Sequence, residues 1–266
     1  MYSILSTDGT RIAFDRRGSG PSVVLVDGAL CNRSYGPMIG LPGLLADGFT
    51  VLSYDRRGRG DSGDRSGYAV EREIEDLGCL LADCDGPVSV FGHSAGGALA
   101  LRAVAAGLPI SRLALYEPPY GVGDEAHRNA LREYPARLAY LLAAGRPEDA
   151  VELFLRLVDV PPEVIAMLRR TSRWAILREL APTLAYDSAV LDQQRLAGAL
   201  PLDLLARIDV PALVLAGGAS SAAMRDTASR LSVAMPDAEY RTLHHQVHDV
   251  DPAVLAPVLA DFFAGS

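Results

Sequence analysis

A chain of 266 residues accommodates one large domain or two small ones and is long enough to bury a sizeable core. Its 49% hydrophobic and 22% charged residues are ordinary for a globular protein, and the net charge of -8 argues against nucleic acid or an anionic membrane as a partner. All 25 basic residues are arginine, which excludes a Schiff base or a lysine general base.

In chain order, residues 2–6 and 11–16 flank Asp8-Gly9 and predict a hairpin. Five short apolar runs follow: Val23–Val26, Thr50–Tyr54, Val88–Phe91, Leu113–Tyr116 and Ala212–Ala216. Runs of this kind without polar alternation are what parallel strands covered on both faces look like. Helical patterns separate them, over 68–83 and 95–107 for example, so the chain predicts an α/β fold with a mostly parallel sheet. From about 121 to 200 the alternation stops and the pattern is helical, with Tyr134, Tyr140, Phe154, Trp174 and Tyr186 set among leucines and alanines. Pro135, Pro147, Pro161-Pro162 and Pro182 divide this stretch into about four pieces. Its aromatics are expected mostly to fill a core of their own. The insert leaves directly after a strand, so it is also placed to cover the sheet edge where open α/β folds bind ligands. An edge-like run, Ala238–Leu243, and a helix over about 252–263 close the chain.

Cys31, Cys79 and Cys84 fit no metal or disulfide spacing, and no clustered His/Asp pattern implies a metal. The first ten residues lack the features of a signal peptide and no run approaches 18 apolar residues, so the expectation is a cytoplasmic protein that spans no membrane.

Gly92-His93-Ser94-Ala95-Gly96 stands between the third apolar run and a helical pattern. A G-x-S-x-G pentapeptide in that context is the signature of a nucleophile elbow. Glycines at its flanks leave room in a turn too sharp for a Cβ, and the helix N-terminus behind the serine favours an anion forming there. Ser94 is the expected nucleophile, and a serine hydroxyl needs a base to take its proton. The chain has five histidines. The backbone direction of His93 in the elbow points it away from the face of the serine, and His127 falls in the insert. His244 and His245 end the edge run or face solvent, whereas His248 sits in the loop before the last helix and is the expected base. Asp249 is expected to cap that helix, with Pro252 in its first turn.

These pieces resemble the α/β-hydrolase superfamily, in the branch of cofactor-free haloperoxidases, esterases and C–C hydrolases with a helical cap. The resemblance rests on Val26–Ala29, Asp55–Ser62, Gly92–Gly96, Leu115–Pro119, Val247–Asp249 and Phe262-Phe263, and so covers nearly the whole chain. It implies a mostly parallel eight-stranded sheet flanked by helices, a core of residues 1–120 and 201–266, and a cap of 121–200. It also implies an oxyanion hole formed by the backbone N–H groups of Ala29 and Ala95. Asp55 and Asp61, around Arg56-Arg57-Gly58-Arg59-Gly60, resemble a structural turn of the family.

Two positions depart from the family pattern. The family usually has His-Gly where this chain has Asp27-Gly28; Asp27 is either a plain turn residue or a group that touches substrate or shifts the pKa of the base. The acid of the triad usually follows the strand represented here by Leu213–Gly217, but the chain continues Gly218-Ala219-Ser220-Ser221, and no carboxylate occurs until Asp226. Some relatives carry the acid one strand earlier, where this chain has Glu117. Glu117 is therefore the expected acid, with Asp226 and Asp27 as alternatives.

The expected function is hydrolysis of an ester, thioester or lactone of a small hydrophobic acyl compound through Ser94, His248 and Glu117. No cofactor is expected, and the protein is expected to act as a monomer or homodimer. The competing readings are a C–C bond-cleaving or non-hydrolytic tailoring enzyme and a decayed hydrolase fold that only binds a ligand, the latter motivated by the missing acid.

Overall fold

The computed structural model describes residues 1–120, 124–192 and 199–265. Eight strands form a single sheet: β1 (Tyr2–Leu5), β2 (Arg11–Arg17), β3 (Ser22–Val26), β4 (Thr50–Tyr54), β5 (Val88–His93), β6 (Ile110–Tyr116), β7 (Ala212–Gly217) and β8 (Ala238–Leu243), in the order β1-β2-β4-β3-β5-β6-β7-β8. Of the pairings between these strands, β1–β2 and β2–β4 are antiparallel and the rest are parallel.

The apolar runs follow from burial on both faces. Along β3, Val24 and Val26 join a cluster on one side of the sheet, while Val23 and Leu25 join a cluster on the other. The first side is covered by α2 (Val70–Ala82), α3 (Ala95–Ala105) and α10 (Ala222–Ala234), and the second by α1 (Leu41–Leu45) and α11 (Pro252–Ala264). On α11, Leu255, Leu259, Phe262 and Phe263 are buried. Each such side chain stabilises by roughly 1.5–3 kcal/mol relative to exposure.

Registers align the strand ends. Val26 pairs with Gly92, His93 with Tyr116, Tyr116 with Leu215, and Gly217 with Leu243. Consequently Asp27, Ser94, Glu117 and the loop after β8 emerge together at the C-terminal edge of the sheet.

Between β6 and β7 lies a helical insert: α4 (Glu125–Ala143), α5 (Pro147–Leu157), α6 (Pro162–Leu168), α7 (Arg173–Leu180), a 3-10 turn (Ala181–Thr183) and α8 (Leu184–Val190), with α9 (Leu202–Leu205) leading back to the sheet. Residues 121–123 and 193–198 of the stretch expected to be helical lie outside the described residues. The insert has its own cluster, with Tyr134, Leu138, Val151, Trp174 and Leu177 buried, and Leu30 from the core joins it. Tyr140 departs from the expectation for the aromatics: it is 69% exposed.

Pro135 also departs from expectation, for it lies inside the continuous helix α4 instead of ending it. A mid-helix proline removes one hydrogen bond and crowds the preceding turn. Here it sits among the buried Leu131, Tyr134 and Leu138, whose packing holds the helix together across it. The final helix differs in its cap. The carboxylate of Asp251 accepts the N–H of Ala253 at 2.8 Å, whereas Asp249 is exposed and outside the helix. Asp251 immediately precedes Pro252 at the first helical position, so its side chain is the one within reach of the free N–H groups.

Candidate active site

The turn between β5 and α3 is as tight as the pentapeptide implies. Ser94 has φ 54° and ψ −124°, a backbone conformation costly for a residue with a side chain. It is held there by its N–H, which donates to the Tyr116 carbonyl at 2.9 Å, and by its carbonyl, which accepts from Gly97 at 2.9 Å. A Cβ on Gly96 would stand 2.1 Å from the Val26 carbonyl oxygen, and one on Gly92 would stand 2.5 Å from the Cα of Gly97. Only glycine fits at both places. As the first residue of α3, Ala95 carries an N–H with no partner inside the helix.

Glu117 follows β6 directly and is completely buried. Its φ of 45° turns the side chain over the end of β7. There Oε1 accepts the Gly217 N–H at 2.8 Å, and Oε2 lies 2.8 Å from His248 Nδ1. Burial pushes its pKa up, but the His248 hydrogen bond, the Gly217 N–H and the charge of His248 outweigh that and hold the carboxyl below its usual value. An ionised carboxylate can only accept, so the contact fixes a proton on Nδ1 of His248, and in the neutral imidazole Nε2 is then the nitrogen that carries the lone pair.

The loop bearing His248 is clamped to the strand ends from beneath. Tyr116 donates its hydroxyl to the Val247 carbonyl at 2.6 Å, and His93 Nε2–H donates to the His248 carbonyl at 3.0 Å. His93 is buried against Tyr116, and burial followed by the neighbouring His248 lowers its pKa to about 3, so it is a neutral strut. His244 and His245 are exposed beyond β8, and His127 lies near the start of α4. Asp226 is exposed on α10 and pairs with Arg230 at 3.6 Å.

Asp27 follows β3 on the other side of the serine strand. It is buried, its Oδ1 has no hydrogen-bond partner, and burial pushes its pKa up to about 7 against the opposing pull of Arg59 and Arg56. A Cβ on the next residue, Gly28, would be 3.0 Å from the Cβ of Ser94. The Gly28–Ala29 peptide therefore passes directly against the serine.

Asp55 accepts the N–H groups of Arg33 and Asp61 at 2.8 Å each and closes the turn that follows β4. Three arginines of that turn, Arg56, Arg57 and Arg59, are buried and paired with carboxylates. One of those carboxylates, Asp187 on α8, accepts from both Arg56 and Arg59. No sequence signal singles out Asp187. A buried run of arginines does require buried carboxylates, but it does not say which. Among the described residues no group of His, Cys, Asp and Glu is arranged to hold a metal, and no helix is long and apolar enough to cross a membrane. All three cysteines are free thiols.

The model of the alpha/beta hydrolase family matches residues 18–258. This chain belongs to the alpha/beta hydrolase family. It is similar to the crystal structure of an alpha/beta hydrolase from Sphaerobacter thermophilus DSM 20745, with 46% identity, a TM-score of 0.88, and coverage of 98% of this chain and 100% of that one. A thermophilic esterase from Thermogutta terrifontis superposes with a TM-score of 0.73 over 99% and 98% of the two chains; at 21% identity that likeness is one of fold. Among curated proteins, an uncharacterized hydrolase from Bacillus subtilis (strain 168), YraK, is 36% identical over 101 residues, a match that spans 36% of each chain.

Proposed function

We propose that this alpha/beta hydrolase is a serine hydrolase that cleaves an ester, thioester or lactone of a small hydrophobic acyl compound. The observation that carries the reading is the contact between Glu117 and His248 at 2.8 Å, made by a completely buried carboxylate whose second oxygen is fixed by Gly217. It supports Glu117 as the acid that the loop after β7 lacks, and it speaks against reading the chain as a decayed binding protein.

In the proposed reaction, the Ser94 hydroxyl attacks the acyl carbonyl and gives its proton to His248 Nε2. Glu117 holds the tautomer with the proton on Nδ1 and stabilises the imidazolium that forms. The N–H groups of Ala95 and Ala29 receive the negative oxygen of the tetrahedral intermediate, where one donor is worth roughly 3–4 kcal/mol. Collapse expels the alcohol, thiol or ring oxygen, which takes the proton back from His248 and leaves Ser94 acylated. A water then gives its proton to His248 and attacks the acyl carbon, which releases the acid and regenerates Ser94. The helical insert acts as a lid over this edge; its apolar cluster, which Leu30 joins, suits a hydrophobic acyl group.

A fluorophosphonate probe tests the reading. The expected result is a single covalent label on Ser94, absent in Ser94→Ala and strongly slowed in His248→Ala, with p-nitrophenyl ester turnover following the same order. A folded wild-type protein that takes no label, with a His248→Ala variant that turns over esters at the wild-type rate, overturns it.

A further inference from the structure

The two arginines that matter here are Arg56 and Arg59, in the turn after β4. Arg59 Nη1 donates to the Gly28 carbonyl at 2.5 Å and to the Cys31 carbonyl at 3.3 Å, while its Nη2 lies 2.8 Å from both oxygens of Asp187. Arg56 Nη1 donates to Asp187 at 2.6 Å and to the Asp27 carbonyl at 3.3 Å, and its other nitrogens grip Glu73 at 2.7 Å each. All four charged side chains are buried. Two cations thus meet two carboxylates beneath the segment 27–31, and one of the carboxylates comes from the helical insert, 128 residues away from Arg59.

The Gly28 carbonyl and the Ala29 N–H belong to one planar trans peptide, in which they point in opposite directions. A guanidinium fixed on the carbonyl side therefore sets where the N–H aims. It also polarises the peptide and makes that N–H a stronger donor, an effect magnified in a dry interior. Arg59 can do this only while something holds its fork, and Asp187 holds it with both oxygens. The insert is anchored at the same place. Tyr186 stacks on Tyr68 at 3.8 Å between ring centroids and gives its hydroxyl to Asp64 at 2.6 Å, so Asp187 is delivered by a segment docked onto the turn. Leu30, with φ 55°, packs its side chain into the insert cluster from the other end of the segment.

We propose that Asp187 is a positioning residue of the lid: through Arg59 it orients the Gly28–Ala29 peptide, so the oxyanion-binding geometry is complete only when the insert is docked on the turn after β4. The inference rests on the reading of Ser94 as nucleophile and of the Ala29 N–H as an oxyanion donor.

Asp187→Asn keeps the shape and removes the charge, and Arg59→Lys keeps the charge and removes the fork. Asp76→Asn serves as the control, because Asp76 pairs with Arg57 in the same turn and touches nothing in 27–31. For each folded variant, kcat, KM and the affinity for a trifluoromethyl ketone, which adds to serine as a tetrahedral oxyanion, are measured alongside the melting temperature. Asp187→Asn and Arg59→Lys are expected to lower kcat about tenfold to a hundredfold. They should weaken the ketone by the same factor and leave KM within about threefold, because the donor acts on the transition state and not on the substrate. Asp76→Asn is expected to lower the melting temperature alone. Wild-type kcat and ketone affinity in either folded variant overturn the proposal; if Asp187→Asn does not fold, Arg59→Lys decides it. A wild-type protein that forms no ketone adduct defeats the parent reading, a result visible before any variant is made.

Discussion

The serine strand β5 is flanked by β3 and β6, and each neighbour ends in a buried carboxyl: Asp27 on one side, Glu117 on the other. Burial acts on both in the same direction, raising the pKa by making the ion costly. Their partners separate them. Glu117 receives an imidazole N–H and a backbone N–H and is held ionised, below its usual pKa. Asp27 has an unpartnered Oδ1 and rises to about 7, because the arginines near it are already committed to Glu73, Asp187 and backbone carbonyls. A carboxyl in this fold becomes a working anion through hydrogen bonds aimed at it; burial beside arginine is not enough.

The strongest way to break the comparison is Glu117→Gln. An amide cannot stabilise the imidazolium and need not hold the required tautomer, so kcat for ester hydrolysis is expected to fall by about three to four orders of magnitude. Steady-state turnover by the folded variant checks it, and a loss under tenfold makes Glu117 an ordinary structural acid.

Next in size is the pH dependence of stability. The folded-state pKa of Asp27 lies above its unfolded value of 3.8, so the wild type is expected to lose stability as pH rises from about 4 through about 7 and then to level off. The loss is on the order of 4 kcal/mol, at about 1.4 kcal/mol for every pH unit that separates the folded and unfolded pKa values. Asp27→Asn should remove that slope. Glu117 has the opposite sign: its contribution is present above pH 4.5 and disappears as pH falls through its lowered folded value. Urea unfolding of wild type, Asp27→Asn and Glu117→Gln between about pH 3 and pH 9 separates the two limbs. An Asp27→Asn variant that keeps the neutral-pH slope shows that Asp27 is not its source.

The smallest effect sharpens the Glu117 side. Tyr116→Phe deletes the hydroxyl that holds the Val247 carbonyl and is expected to cost about 1 kcal/mol of stability. With Glu117 still on His248, kcat should fall by less than tenfold. A larger fall shows that the Tyr116 hydroxyl holds the histidine loop in a way that the Glu117 contact alone does not.

Much of this was legible in the chain because its physics is short-range. Doubly buried strands declare themselves as apolar runs, the elbow by the glycines a tight turn requires, and the last helix by its proline. The family resemblance singles out Glu117 as the candidate acid, with Asp226 and Asp27 as alternatives, and the structure places Glu117 against His248. Less was legible wherever two residues compete locally for one task. Asp249 and Asp251 both precede the last helix, and only the path of the chain chose Asp251. Pro135 reads as a helix break until Leu131, Tyr134 and Leu138 are seen packed around it.

The sequence by itself determined the layered fold, the tight serine turn and the arginine-rich turn after β4, whose arginines only the structure shows to be buried. Tertiary structure alone decided that the neutral His93 braces the His248 loop, that Asp27 keeps an unpartnered oxygen, and that Asp187 answers Arg56 and Arg59. Asp187 and Arg56 are 131 positions apart. Periodicity and turn chemistry extend only over a few residues, whereas the partner of a buried charge is chosen by whatever the fold brings within about 3 Å of it.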